Sequence, residues 1–124
     1  MEDSNQASYK KEGVTMATSK EFHDYVVEQL QRVGNITTRK MMGEYCVYYD
    51  GKLIGDICDN TFYLKPTESV LRFMPEADRG YPYEGSKSLM VIVDEIGNEE
   101  LMAKVLKGMY EELPEPKKEK VRLV

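Results

Sequence analysis

Residues 36–65, ITTRKMMGEYCVYYDGKLIGDICDNTFYLK, decide the fold of this chain. The stretch is rich in β-branched and aromatic residues, which favour strands. Asp50-Gly51 is a strong signal for a two-residue hairpin loop, and Asp59-Asn60 is a weaker one. The stretch therefore predicts consecutive antiparallel strands joined by tight turns.

Counting outward from the two turns predicts which residues face each other. Tyr48 should oppose Leu53 and Cys46 should oppose Gly55 across the first turn. Because side chains alternate between the two faces of a strand, each face collects its own set. The predicted core face holds Cys46, Tyr48, Leu53, Gly55, Ile57, Phe62 and Leu64. The opposite face mixes aromatic, apolar and charged groups: Tyr45, Val47, Tyr49, Lys52, Ile54, Asp56, Cys58, Thr61, Tyr63 and Lys65.

Helical periodicity predicts helices on both sides of this block. They are Ser19–Val33, with a capping box of Thr18 and Glu21; Thr67–Met74; and a last helix from its N-cap Asn98 to Leu113. A buried strand from Leu89 to Val93 precedes the last helix, and residues 75–88 are predicted to be a loop.

These elements predict an α+β fold: an antiparallel sheet of about five strands with flanking helices, in the order α-β-β-β-β-α-β-α. Residues 16–113 should form this single domain, between a disordered polar leader at 1–15 and a basic flexible tail at 114–124. We expect a cytoplasmic location, because we find neither a signal peptide nor an apolar run long enough to cross a membrane. The net charge of −5 disfavours a domain that mainly grips nucleic-acid phosphates.

The residue types of common active sites are scarce. The single histidine, His23, is followed by Asp24, and neighbours in a helix are not expected to face each other. Cys46 and Cys58 fall on opposite faces in the predicted register, too far apart for a disulfide. The cysteines and the histidine match no zinc spacing, and the glycines match no phosphate loop. We therefore predict no catalytic residues, no cofactor and no metal.

The run from Arg39 to Gly55, RKMMGEYCVYYDGKLIG, resembles the signature of the TfoX N-terminal domain family. That signature reads R-K-M-F-G, then an aromatic hairpin turning at D-G, then F-G. Later blocks fit in order: Tyr63-Leu64-Lys65-Pro66-Thr67, Tyr81-Pro82-Tyr83 and the strand Leu89–Val93. Met42 and Glu44 stand where the regulators of the family more often have an aromatic residue and a glycine.

The resemblance covers roughly Met16 to Leu113 and has two implications. It implies an α+β sandwich similar to type III secretion chaperones and YgaC-like proteins. It also implies a role in transcription. Full-length TfoX (Sxy) proteins are regulators of natural competence that are thought to act with the cyclic-AMP receptor protein.

The predicted interaction surface consists of Arg39, Lys40, Glu44, Tyr45, Tyr49, Tyr63, Lys65, Tyr81 and Tyr83. Around the bend at Gly43, the charged residues form either a functional patch or an ion pair to Glu44 that shapes the strand junction. The three tyrosines of the sheet form an exposed aromatic patch, unless the loop at 75–88 or the leader folds over it.

Three hypotheses follow from these residues. The first is a non-enzymatic regulatory adaptor with a transcription-associated protein partner, or self-association, through the tyrosine face. The second is a small-ligand-binding protein or an enzyme with a cleft near Arg39, Glu44, Tyr81 and Tyr83. The third is weak nucleic-acid binding by tyrosine rings beside Lys52 and Lys65. No membrane partner is expected.

Overall fold

A computed structural model describes residues 18–115 of the chain. Along the chain the elements are α1 (Lys20–Gln31), β1 (Ile36–Met41), β2 (Glu44–Tyr49), β3 (Lys52–Cys58), β4 (Thr61–Leu64), α2 (Glu68–Phe73), β5 (Arg79–Gly80), β6 (Met90–Ile92) and α3 (Glu99–Glu112). No helix in this range is long and apolar enough to cross a membrane. The predicted leader and residues 116–124 of the predicted tail lie outside the described range.

The strands form one antiparallel sheet in the order β1-β2-β3-β4-β6-β5. The first four strands are joined by the two-residue loops Met42-Gly43, Asp50-Gly51 and Asp59-Asn60, and every loop residue has a positive φ. Positive φ at both loop positions is the type I′ geometry, whose twist matches that of the flanking strands. Both predicted turns are confirmed, and the bend at Gly43 is a third turn of the same kind.

A β-bulge in β3 shifts the predicted register. Tyr48 opposes Leu53 as predicted, but the next residue of β2, Val47, opposes Gly55 and leaves Ile54 without an opposite residue. Cys46 then opposes Asp56, so the prediction that it opposes Gly55 is wrong. Beyond the extra residue, each residue of β3 shares a face with a different set of β2 residues from the predicted one.

All three helices lie on one face of the sheet and form the core with it. The buried residues of the helices are Val26, Leu30, Val70, Met102, Val105, Leu106 and Met109. Those of the strands and the segment after β6 are Ile36, Val47, Ile54, Ile57, Phe62, Leu64, Val91, Val93 and Ile96. The α+β fold class is confirmed; the extra strand is β5, which lies inside the predicted loop and pairs with β6.

The helix ends follow from their caps. Asn98 accepts a hydrogen bond from the Leu101 amide at 3.1 Å and begins α3, as predicted. The cap of α1 is Ser19, whose Oγ accepts from the Phe22 amide at 3.1 Å, so the predicted capping box at Thr18 is wrong. The Thr18 amide instead donates to the Gly43 carbonyl at 3.0 Å, which ties the start of α1 to the β1–β2 turn.

Lys52 closes the other end of α3. Its side chain is only 6% exposed, and Nζ donates to the Tyr110 carbonyl at 2.8 Å and to the Leu113 carbonyl at 3.0 Å. The same Nζ lies 3.9 Å from the centre of the Tyr110 ring. A cation at a helix C-terminus satisfies carbonyls that have no partner within the helix. The prediction that Lys52 lies on an uncovered face is therefore wrong.

Candidate functional site

The sheet face opposite the helices is the candidate site, and we call it the open face. Residues directly opposed in an antiparallel sheet share a face, so the register defines its members. They are Thr37, Arg39, Met41, Glu44, Cys46, Tyr48, Leu53, Asp56, Cys58, Thr61, Tyr63, Lys65, Met90 and Ile92. Within residues 18–115 no helix packs on this face.

A row of side chains crosses the open face from one strand to the next. Arg39 opposes Cys46, Cys46 opposes Asp56, Asp56 opposes Tyr63, and Tyr63 opposes Ile92. Tyr63 is buried, together with Cys58 and Met90, in a small second cluster. The face is therefore amphipathic, because charged side chains such as Arg39 and Asp56 share it with this apolar cluster.

Two carboxylates of the open face are partly buried: Asp56 within β3 and Glu44 at the start of β2. One oxygen of Glu44, Oε1, is buried and has no hydrogen-bond partner among residues 18–115. Burial raises the pKa of the Asp56 carboxyl, and the negative charge of Glu44 raises it further, while Lys65 opposes the rise. The open face thus holds acidic groups that are partly stripped of water.

Both cysteines lie on the open face, so the prediction that they lie on opposite faces is wrong. They are diagonal neighbours, because Cys46 opposes Asp56 and Cys58 is two residues farther along β3. Diagonal side chains lie about 7–8 Å apart, beyond disulfide reach, and both thiols are free. Burial first, and then the charge of Glu44, raises the pKa of Cys58 to about 12. Burial and then Asp56 also raise the pKa of Cys46, so neither thiol is activated as a nucleophile.

A cleft of about 430 Å³ lies at the β6 end of the open face, under the loop that follows β5. It is lined by Asp56, Lys65, Pro66, Pro82, Tyr83, Ser86, Ser88, Leu89 and Met90. Among the residues predicted to border a cleft, only Tyr83 lines this one. Arg39 lies on β1, three strands away from β4, which Lys65 directly follows. The prediction that Arg39, Glu44 and Tyr81 border one cleft is therefore wrong.

The three tyrosines of the predicted patch do not share a face. Tyr63 lies on the open face, but the bulge turns Tyr45 and Tyr49 toward the helices. The Tyr45 ring stacks on His23 with 4.1 Å between ring centres, and Tyr49 meets the edge of Tyr110 at 6.0 Å. The predicted patch of three tyrosines is therefore wrong. The extra residue in β3 reverses which residues of β2 share a face with Tyr63. Tyr81, at 56% exposure, projects from the loop after β5.

The charged residues around Gly43 also do not share one face of the sheet. Arg39 lies on the open face, whereas Lys40 opposes Tyr45 and lies on the helix-covered side. Glu44 opposes Met41, and no carboxylate among the described residues lies within 4.0 Å of Arg39 or Lys40. The predicted ion pair across the turn is not formed.

His23 makes contacts that the sequence did not predict. Its Nδ1 lies 2.9 Å from Asp24 Oδ1, and its Nε2 lies 2.9 Å from Thr38 Oγ1, so neighbouring side chains of α1 do meet. The order hydroxyl, imidazole, carboxylate is that of a nucleophile with its base. The imidazole, however, packs on Tyr45, and the clefts identified in the described range are lined by other residues. The contact of His23 with Thr38 holds α1 against β1.

No group of His, Cys, Asp and Glu residues suited to a metal ion occurs in residues 18–115.

Comparison with known proteins identifies the family of this chain. The family model of the TfoX N-terminal domain matches residues 28–93. The chain belongs to the TfoX N-terminal domain family. The match begins in the second half of α1 and ends just after β6, so it contains the whole sheet and leaves α3 outside.

One relative of this TfoX N-terminal domain is an uncharacterized 12.7 kDa protein in the trpE 5' region of Spirochaeta aurantia. The two sequences are 33% identical over 107 residues, which cover 86% of this chain and 93% of the relative. No solved structure matches the chain. The run from Arg39 to Gly55 begins in β1, contains β2 and ends in β3, so the family signature spans the bulge and six of the fourteen residues of the open face.

Proposed function

We propose that this TfoX N-terminal domain is a non-enzymatic adaptor of transcription regulation that binds a protein partner through the open face. The observation that carries the proposal is a broad, amphipathic sheet face without a helix over it in residues 18–115. Half-exposed Tyr48 and Leu53 lie there beside exposed Arg39 and Met41. A mixed surface with aromatic and arginine side chains is typical of protein interfaces.

The chemistry of the described residues supports a binding role over a catalytic one. The two thiols are held in the protonated form by burial and neighbouring carboxylates. His23, Asp24 and Thr38 line none of the four clefts identified among residues 18–115. The membership in the TfoX N-terminal domain family supports the regulatory context.

The test uses open-face variants and matched variants elsewhere. Tyr48→Ser and Leu53→Ser change the open face, and Tyr25→Ser on α1 and Leu71→Ser on α2 change exposed residues of the same types away from it. Tagged chains are used to capture partners from native lysate treated with nuclease. We expect one protein to bind the wild type and both control variants and to be lost with Tyr48→Ser and Leu53→Ser. Equal loss with the controls, or no nuclease-resistant partner, would contradict the proposal.

A second candidate function is small-ligand binding in the cleft under the loop after β5. The observation in its favour is Lys65, which lines the cleft and has no carboxylate within 4.0 Å among the described residues. A thermal-shift screen of metabolites should then find a stabilising compound whose effect is lost in Lys65→Met and kept in Lys87→Met, a lysine of the same loop region outside the lining.

The nucleic-acid hypothesis loses its predicted surface. Lys52 is engaged at the end of α3, and Tyr45 and Tyr49 pack toward the helices, so the predicted row of stacking rings beside lysines is not assembled.

A further inference from the structure

Within residues 18–115, the sheet has one long unpaired edge. β1 has six residues and pairs only with β2, whereas the opposite edge strand, β5, has two residues. Outside the ladder to β2, no hydrogen bond within residues 18–115 involves the backbone of residues 37–41. Most side chains of this strand are exposed. Such an edge is a template for another strand.

The charge of this edge selects its partner. Arg39 and Lys40 are exposed, lack a carboxylate within 4.0 Å among the described residues, and stand in a strand without an acidic residue. The chain as a whole has a net charge of −5, so the edge is a basic site on an acidic protein. Two copies joined at this edge would bring like charges together, whereas an acidic segment would complement them.

We propose that β1 accepts an extended acidic segment of a partner protein as an additional strand, a binding mode that rests on the proposed adaptor function. Backbone hydrogen bonds to residues 37–41 supply the attachment, and the charges set the register. Arg39 projects to the open face and Lys40 to the helix-covered side. Successive residues of the added strand also project to opposite faces. The two acidic residues of the partner must therefore be adjacent in its sequence.

Three synthetic peptides test the proposal on the full chain. Thr-Val-Thr-Glu-Asp-Thr-Val-Thr places its carboxylates on opposite faces, Thr-Val-Glu-Thr-Asp-Thr-Val-Thr places both on one face, and a third peptide is the first with its backbone N-methylated. Binding is followed by fluorescence anisotropy and the contacted amides by hydrogen exchange. We expect the first peptide to slow exchange in residues 37–41 and to bind about threefold more tightly than the second, since one exposed ion pair is lost. The N-methylated peptide should not bind, because it lacks the donors of a ladder.

Charge reversal supplies the matched control. The double variant Arg39→Glu with Lys40→Glu should bind the first peptide about tenfold more weakly, because two exposed pairs are lost. Lys104→Glu, on the exposed side of α3, should leave binding unchanged. Equal binding of the N-methylated peptide, protection outside β1, or self-association of the wild type through β1 in sedimentation would each overturn the proposal. If the peptides fail while a lysate partner is still lost with Tyr48→Ser, the edge inference fails and the adaptor function stands. If the peptides bind β1 but no partner is lost with Tyr48→Ser, the edge inference stands and the proposed binding through the open face fails.

Discussion

Met42 occupies the first position of the β1–β2 turn with a φ of 49°, and its side chain is 99% exposed. A residue with a Cβ is disfavoured in this left-handed region, which asparagine and glycine tolerate. The other two turns place Asp50 and Asp59 at the same position, so Met42 is the residue whose type does not suit its backbone. Its side chain makes no contact that would offset the strain, since it is almost fully exposed.

Met42→Asn should therefore stabilise the chain. We expect the free energy of unfolding to rise by about 1 kcal/mol, the lower end of the cost of a left-handed residue with a Cβ. Urea denaturation measures the change. Met41→Asn is the control, because Met41 is an exposed methionine of β1 with ordinary strand geometry, where asparagine is a poor strand former. A stability gain in the control, or none in Met42→Asn, would contradict the strain argument.

At the scale of elements, two contacts join the parts of the fold. Lys52 holds the β2–β3 hairpin to the C-terminal end of α3. Ser69, at the start of α2, donates from its amide at 3.0 Å and from Oγ at 2.5 Å to the Glu112 carboxylate. These hydrogen bonds lower the pKa of Glu112. Each contact satisfies a helix end that lies against another element.

Lys52→Met keeps the length of the side chain and removes its charge. The carbonyls of Tyr110 and Leu113 then lose a charged donor, and we expect the free energy of unfolding to fall by about 2 kcal/mol. Thermal and denaturant unfolding measure the loss. Lys104→Met, which breaks only an exposed pair with Glu100, should change stability by less than about 0.5 kcal/mol. Unchanged stability in Lys52→Met would mean that the cost of burying the cation equals its gain.

Gly108→Ala tests the contact of α2 with α3. A Cβ at Gly108 would collide with the hydroxyl of Ser69, which Glu112 holds in place. We expect a loss of about 1–3 kcal/mol from overpacking, although alanine is the better helix former. Lys107→Ala is the neighbouring control and should be nearly neutral, because Lys107 is exposed. A stabilised Gly108→Ala would show that the two helices separate readily.

At the scale of the whole molecule, the sheet divides the chain into a helix-covered side with the main core and an open face with buried charge. Burial and Glu44 raise the pKa of Asp56. A carboxyl whose pKa is raised by folding favours the protonated form, so its contribution to stability is present at acidic pH and is lost as pH rises through the folded pKa. The buried Asp56 carboxylate therefore lowers the free energy of unfolding at neutral pH. A loss of stability of this kind is common at surfaces that serve binding.

Asp56→Asn should raise stability at neutral pH. The difference from wild type should shrink as pH falls through the raised folded pKa of Asp56 and should be nearly gone at the usual aspartate pKa. Unfolding midpoints measured across this pH range test the expectation. Asp78→Asn, an exposed aspartate, should show no such pH-dependent gain. A gain that is constant with pH would indicate that the carboxylate charge is not the cause.

The sequence by itself determined the features that depend on residues close together in the chain. Asp50-Gly51 and Asp59-Asn60 form two of the turns, and Asn98 begins α3. The signature from Arg39 to Gly55 identifies the family. Only the tertiary structure decided which side chains share a face. Because Ile54 has no opposite residue, Tyr45 and Tyr49 lie on the other face from Tyr63. The extra residue breaks the alternation of β3, but no turn or residue type in the sequence marks where it lies. The burial of Lys52 and the meeting of His23 with Thr38 likewise depend on elements packed together from distant parts of the chain, where no local spacing predicts a contact.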